Sequence, residues 1–171
     1  MSGPPTVANS VARMQALDRV LSMQGMLEKA AAGTGVDWTT LAAIAIRESH
    51  GIADKVQVGG LGRGLFQIDL GVFKNVTEAQ AMDPAWSAHF AAQLLADNKS
   101  TILKGTLGLD TPAMNSYLEW MVISSYNTGA KGQINRLLSG NDPDWRTAPR
   151  GNNVYGNDYG KNVLDLKNCF N

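Results

Sequence analysis

The sequence predicts a mainly α-helical domain with one small β-hairpin flanking a cleft. Three observations predict it. Apolar residues recur at helical spacing through most of the chain, and two pairs, Asp83-Pro84 and Thr111-Pro112, place an N-cap residue before a first-turn proline. One glycine-dense stretch, Gly59-Gly60-Leu61-Gly62-Arg63-Gly64, then runs into Leu65-Phe66-Gln67-Ile68-Asp69, which alternates as a short strand does.

Taken in order, residues 1–6 are expected to form a loose tail, because Pro4-Pro5 disfavours helix there. Val11, Met14, Leu17, Leu21 and Met26 fall at roughly helical intervals, predicting a helix from Val7 to Ala32 with Gly25 as a soft spot and the methionines as core filler. Gly33-Thr34-Gly35 breaks the chain. Trp38 to Gly51 reads as the next helix, with Asp37 as N-cap and Gly51 at its end. The Asp83-Pro84 signal opens a helix through Trp86, Phe90, Leu94 and Leu95, and Thr111-Pro112 opens an apolar, buried one through Met114, Tyr117, Leu118, Met121 and Val122. Ser124 to Gly129 reads as a junction before a helix from about Ala130 to Leu138. From Ser139 to Asp158 the composition turns to Gly, Asn, Asp and Pro, predicting a long connection before a C-terminal helix.

Within this frame Glu48 stands out. Leu41 and Ile44 precede it by seven and four residues, so all three share a helix face that should dock on the core and deliver a carboxyl group to its edge. Partial burial disfavours the charged form of a carboxyl group, which suits a general acid working near neutrality. A solvated glutamate near a helix end is the bland alternative, and its surroundings argue against that. On the predicted strand, Leu65, Gln67 and Asp69 share one face, so an amide and a second carboxylate project together. Tyr126-Asn127 at the predicted junction can aim a phenol and an amide into a cleft, and Tyr159 offers another phenol. No Lys-Ser/Thr pair follows the glycines, which excludes a phosphate-binding loop, and the absence of Gly-x-Ser-x-Gly excludes a serine-hydrolase elbow.

Four ordered motifs carry a resemblance. Arg47-Glu48-Ser49-His50-Gly51, Gly64-Leu65-Phe66-Gln67-Ile68-Asp69, Ser125-Tyr126-Asn127-Thr128-Gly129 and Asp158-Tyr159 resemble goose-type lysozyme and the related soluble lytic transglycosylases, from about Met23 to the C-terminus. The resemblance implies a lysozyme-like α+β fold and cleavage of the β-1,4 bond between N-acetylmuramic acid and N-acetylglucosamine. It implies that Glu48 is the general acid and that Asp69 helps to position water. It gives Gln67, Tyr126, Asn127 and Tyr159 positions along the sugar cleft. An inverting glycosidase holds its carboxyls roughly 6.5–9.5 Å apart, and a helix facing a strand can span such a gap. One departure matters: the second aspartate usual in the glycine-rich loop of goose-type enzymes falls on Val58, which cannot act as a base. Asp54 is the nearest upstream carboxylate and a candidate substitute. If no base holds water, the muramic acid 6-hydroxyl completes the reaction, as in lytic transglycosylases. A non-catalytic glycan-binding module is the rival from another class. Trp145 or Tyr155 is a candidate sugar-stacking residue.

The remaining composition bounds the partners. A chain of 171 residues is one domain of ordinary size. Fifteen basic against fifteen acidic residues gives no nucleic-acid or polybasic membrane signal, and no stretch is long enough to span a bilayer. Cys169 is the single cysteine, so no internal disulfide forms. His50 and His89 are the two histidines, with no cluster at ligand spacing, so neither a metal nor another cofactor is expected. His50 is expected to cap its helix. Residues 1–16 lack the basic start and apolar core of a secretory leader. The expectation is therefore a monomer that meets bacterial peptidoglycan by a non-classical route, by phage lysis or as part of a larger protein. A protein inhibitor or immunity partner is a further expectation.

Overall fold

A computed structural model describes residues 7–107, 111–139 and 159–170. The predicted tail, Trp145, Tyr155 and Asp158 lie outside the described residues. Among those described, eight α-helices and one two-stranded sheet form two compact units, the first running to Ala92 and the second from Gln93.

The first unit is built around α3 (Trp38–Ser49), against which α1 (Val7–Leu21) and α2 (Gln24–Ala31) pack. Ala42, Ala43 and Ala45 are strong helix formers, and every residue from Thr39 to Ile46 is buried. A helix that is apolar all round belongs in the interior, so α3 is the core of this unit and not an amphipathic helix with one docked face. Leu41, Ile44 and Ile46 are each essentially inaccessible, worth about 1.5–3 kcal/mol apiece in apolar burial.

The structure corrects the N-terminal reading. The expected single helix breaks at Ser22-Met23, three residues earlier than Gly25 would suggest, which sits inside the first turn of α2. The stripe that enters the core is Ala16, Val20 and Leu27, whereas Val11 and Leu21 are exposed and Met14 is 65% exposed. Small Ala16 allows close approach to α3, and the larger residues at neighbouring positions turn outward. Met14 is therefore not core filler.

The hairpin is smaller than predicted. Strands β1 (Gly62–Arg63) and β2 (Ile68–Asp69) pair antiparallel, Gly62 opposite Asp69 and Arg63 opposite Ile68, and Val56 forms an isolated bridge to Arg63. Leu65 and Phe66 are both fully buried, so the alternation ends there. The segment Gly64–Gln67 is a turn with Gly64 at φ +75° and Gln67 at φ +47°. That turn dives into the core to bury two adjacent apolar side chains, which no strand can do on one face. A Cβ at Gly64 would land on the carbonyl oxygen of Ala81, so glycine is required there twice over.

Helix α4 (Glu78–Met82) packs on β1 and opens with a capping box, in which Thr77 Oγ1 accepts the Gln80 N–H and Gln80 Oε1 accepts the Thr77 N–H. Helix α5 (Pro84–Gly105) starts where predicted: Asp83 Oδ1 accepts the Trp86 N–H at 2.6 Å. Trp86 stacks on Phe90, and Phe73 meets Phe90 edge-on.

In the second unit, α6 (Thr111–Thr128) packs against α7 (Ala130–Leu138) and α8 (Tyr159–Lys167). Helix α6 continues through Ser124–Thr128, so Tyr126 and Asn127 occupy its last turn, and Gly129 at φ +75° alone forms the junction to α7. Ser125 and Thr128 hydroxyls return hydrogen bonds to the carbonyls of Val122 and Ser124, which lets these polar residues stay helical. A side chain at Gly160 would collide with Ser124 Oγ and the Trp120 indole, so glycine sets the close approach of α8 to α6.

Candidate active site

Glu48 lies half-buried in the last turn of α3. The helix ends at His50, which takes the left-handed conformation at φ +57° and donates its N–H to Ile46 O, while the Gly51 N–H reaches Ala45 O at 3.2 Å. Arg19 Nε on α1 donates to the His50 carbonyl at 3.0 Å, fastening this corner to the core. His50 thus caps the helix through its backbone. Its ring does not supply the charge a helix C-terminus favours, because burial, followed by the positive charges of Lys55, Arg19 and Arg47, lowers its pKa below the usual value.

From this corner the chain forms the wall facing Glu48. Gln57 and Gly62 close a turn through two hydrogen bonds, Gln57 N–H to Gly62 O and Gly62 N–H to Gln57 Oε1. Arg63 reinforces it: the guanidinium donates to the Gly60 and Gly62 carbonyls and pairs with Glu78 of α4 at 2.6 Å. Gln67, held in the left-handed region, donates its side-chain amide to Lys55 O at 3.0 Å and Gly64 O at 2.8 Å. The Gly64 N–H also donates to Lys55 O at 2.7 Å. Both amide hydrogens of Gln67 are therefore committed to backbone, leaving its carbonyl oxygen as an acceptor. Asp69 is exposed, and its Oδ1 accepts the Gly71 N–H at 2.7 Å.

Between helix and wall lies a cavity of about 300 Å³ lined by Glu48, Gln67 and Asp69 together with Lys55, Val56, Gln57 and Val58. Three of the expected site residues thus meet at one cavity. Asp54 is exposed in the preceding turn and is not among its lining residues. The sequence reading missed the lining roles of Lys55, Val56 and Gln57; the signal available was position alone, since a segment joining the Glu48 helix to the Asp69 strand must pass the cleft. Val58, which stands where a second aspartate was sought, does reach this cavity and is 99% exposed.

Tyr126, Asn127 and Tyr159 belong to the second unit. Asn127 is exposed and Tyr126 half-buried. Tyr159 is only 3% exposed at the start of α8, too little to offer a stacking face.

The segment that builds this helix and wall matches a known family in sequence. The sequence profile of the transglycosylase SLT domain matches residues 25–144, well over half the chain. The chain belongs to this family. No curated protein matches it. The SLT match takes in Glu48, Gln67, Asp69, Tyr126 and Asn127, whereas Tyr159 lies beyond it. The fold is accordingly lysozyme-like, mainly helical with a two-stranded antiparallel sheet beside the cavity. Family membership makes this SLT domain a peptidoglycan-acting protein of the lysozyme-like class, with the bacterial cell wall as its substrate. Among the described residues no group of three His, Cys, Asp or Glu is placed to hold a metal ion, and no helix is long and apolar enough to cross a membrane.

Proposed function

We propose that this SLT domain cleaves the β-1,4 bond between N-acetylmuramic acid and N-acetylglucosamine by hydrolysis, with Glu48 as general acid. The observation that supports it is the sharing of one cavity by Glu48 and Asp69. Glu48 donates its proton to the glycosidic oxygen as the bond to C1 breaks and charge develops on the sugar ring. A water guided by Asp69 then adds to C1 from the opposite face and gives up a proton to the Asp69 carboxylate, inverting the anomeric centre and leaving an ordinary reducing end. Gln67, its amide hydrogens held by the wall, offers a fixed acceptor for a sugar hydroxyl or acetamide N–H. The sugar-binding roles of Tyr126, Asn127 and Tyr159 rest on the motifs alone.

A second reading has its own support. Asp69 is exposed with one oxygen engaged by the Gly71 N–H, and Val58 occupies the wall where a further carboxylate would stand. With no base activating water, the muramic acid 6-hydroxyl attacks C1 while Glu48, now ionised, takes its proton. The product is a 1,6-anhydro end, as in lytic transglycosylases.

Mass spectrometry of muropeptides released from purified peptidoglycan separates these outcomes. Hydrolysis gives reducing ends, and Glu48→Gln lowers turnover by about 10²–10⁴-fold, the range that general acid catalysis supplies. Products lighter by one water select the transglycosylase reading and remove Asp69 from the chemistry. Binding of glycan without any product from the parent protein selects a non-catalytic module. A protein inhibitor or immunity partner remains part of the proposal, and a pull-down from the native host that recovers no specific binder removes it.

A further inference from the structure

Among the described residues Lys55 is the only cation lining the Glu48 cavity, and a neutral sugar offers it hydrogen-bond acceptors but no counter-charge. Gln67 and Gln57 supply neutral polar groups suited to hydroxyls and acetamides. Lys55 is half-buried, and its carbonyl is fixed to the wall by the Gly64 N–H and the Gln67 amide, so its side chain springs from a rigid point. Among the described residues no carboxylate forms an ion pair with it. An ammonium on a cavity wall with no ion pair gains a charge-assisted contact from a ligand that brings a carboxylate. Its charge also adds to a field. Lys55, Arg19 and Arg47 all act on His50 at the end of α3, and within the cavity Lys55 stands as the positive pole beside the carboxyl groups of Glu48 and Asp69.

The neighbouring surface is apolar. Val56 and Val58 line the cavity beside Lys55, both are exposed, and Val58 is in water on nearly every side. Apolar side chains on a cavity wall gain by covering a methyl group. A cation next to apolar methyls matches the substituent that distinguishes muramic acid from N-acetylglucosamine. Its lactyl ether carries a methyl beside a carboxyl carbon, which is either a free carboxylate or linked to a short peptide that begins with small residues and bears carboxylates.

Resting on the glycan-cleavage reading above, we propose that Lys55, Val56 and Val58 form a subsite for this acidic substituent, so that the substrate is selected by its carboxylate as well as by its sugars. The ammonium pairs with the carboxylate while the two valines cover the adjoining methyls.

The test is binding, measured by calorimetry in the Glu48→Gln background so that turnover is slow against the titration. Three glycans are titrated: neutral N-acetylglucosamine oligomers, amidase-stripped strands with free lactyl carboxylates, and peptide-bearing strands. In that background Lys55→Met lowers affinity for an acid-bearing glycan relative to the neutral one by roughly tenfold, as expected for one charge-assisted contact at a wet rim, and Lys55→Arg restores most of it. Val58→Ser, at a position exposed enough to leave folding intact, weakens the same glycan. A loss confined to stripped strands identifies the lactyl carboxylate, and one confined to peptide-bearing strands identifies the peptide. Equal change on all three glycans, or none, overturns the subsite, and an equal change assigns Lys55 to the field around residue 48. Failure of the parent enzyme to release products sinks the cleavage reading and leaves this binding comparison standing on its own result.

Discussion

Gly64 and Gly59 have nearly the same backbone conformation, φ +75° and +71°, yet they predict different losses on substitution by alanine. At Gly59 nothing lies within 4 Å of a new Cβ, so Gly59→Ala incurs only the left-handed penalty of an L-residue, about 1–2 kcal/mol. At Gly64 the same penalty applies, and the Cβ lands on the backbone carbonyl of Ala81, which no side-chain rotation can relieve. Overpacking of this kind adds about 1–3 kcal/mol, giving about 2–5 kcal/mol in all. For a chain of this size each kcal/mol moves Tm by about 2–4 °C, so Gly59→Ala lowers Tm by about 5 °C and Gly64→Ala by about 10 °C. Calorimetric melting of the two variants beside the parent measures both. The Gly64 change should also reach the cavity, because Gly64 bonds Lys55 O through its N–H and Gln67 through its carbonyl. Equal Tm shifts for the two variants would refute the steric account of Gly64. A large Tm shift with unaltered glycan binding would refute the coupling of that turn to the wall.

Two further outcomes follow from the described geometry. The lowered pKa of His50 means that the unfolded chain, with an imidazole near 6.5, binds a proton that the folded chain resists, so stability is complete above that pH and falls as pH drops through it. Replacing His50 by Asn, which tolerates the left-handed backbone, should flatten the slope of Tm between about pH 7 and pH 5; an unchanged slope would remove the burial, Lys55, Arg19 and Arg47 as its cause. Asp83→Ala removes the acceptor of the Trp86 N–H and should lower stability by about 1 kcal/mol in urea unfolding, while Asp83→Ser keeps most of it; equal loss in both would deny the cap.

Much of the helical frame was legible because its signals are local. Asp83-Pro84 starts a helix through a cap and a fixed φ that need no distant partner, and Gly129 ends one by a conformation that glycine alone reaches at little cost. The placement of Glu48 at the end of an apolar helix was legible for the same reason. The capping box of Thr77 and Gln80 was equally readable and went unread. Other features depended on competition between segments. Met14 and Val11 are as apolar as Val20, and only the close packing of α1 on α3 decided that Ala16 and Val20 face inward.

The Leu65–Asp69 segment shows the same division most sharply. Its alternating pattern is a valid strand signal, but two adjacent buried side chains, Leu65 and Phe66, outweighed it, and Gln67 took a left-handed turn whose cost is offset by two hydrogen bonds to Lys55 and Gly64. The sequence by itself determined the family of this SLT domain, and it set out a glutamate, a glutamine and an aspartate, in that order, as the candidates for its chemistry. Only the tertiary structure decided that these three converge on one cavity, that Asp54 stays outside it, and that Lys55 and Val58 stand on its wall. The physical reason is that side-chain identity is local, whereas which face is buried and which atoms meet across a cleft are settled by long-range packing.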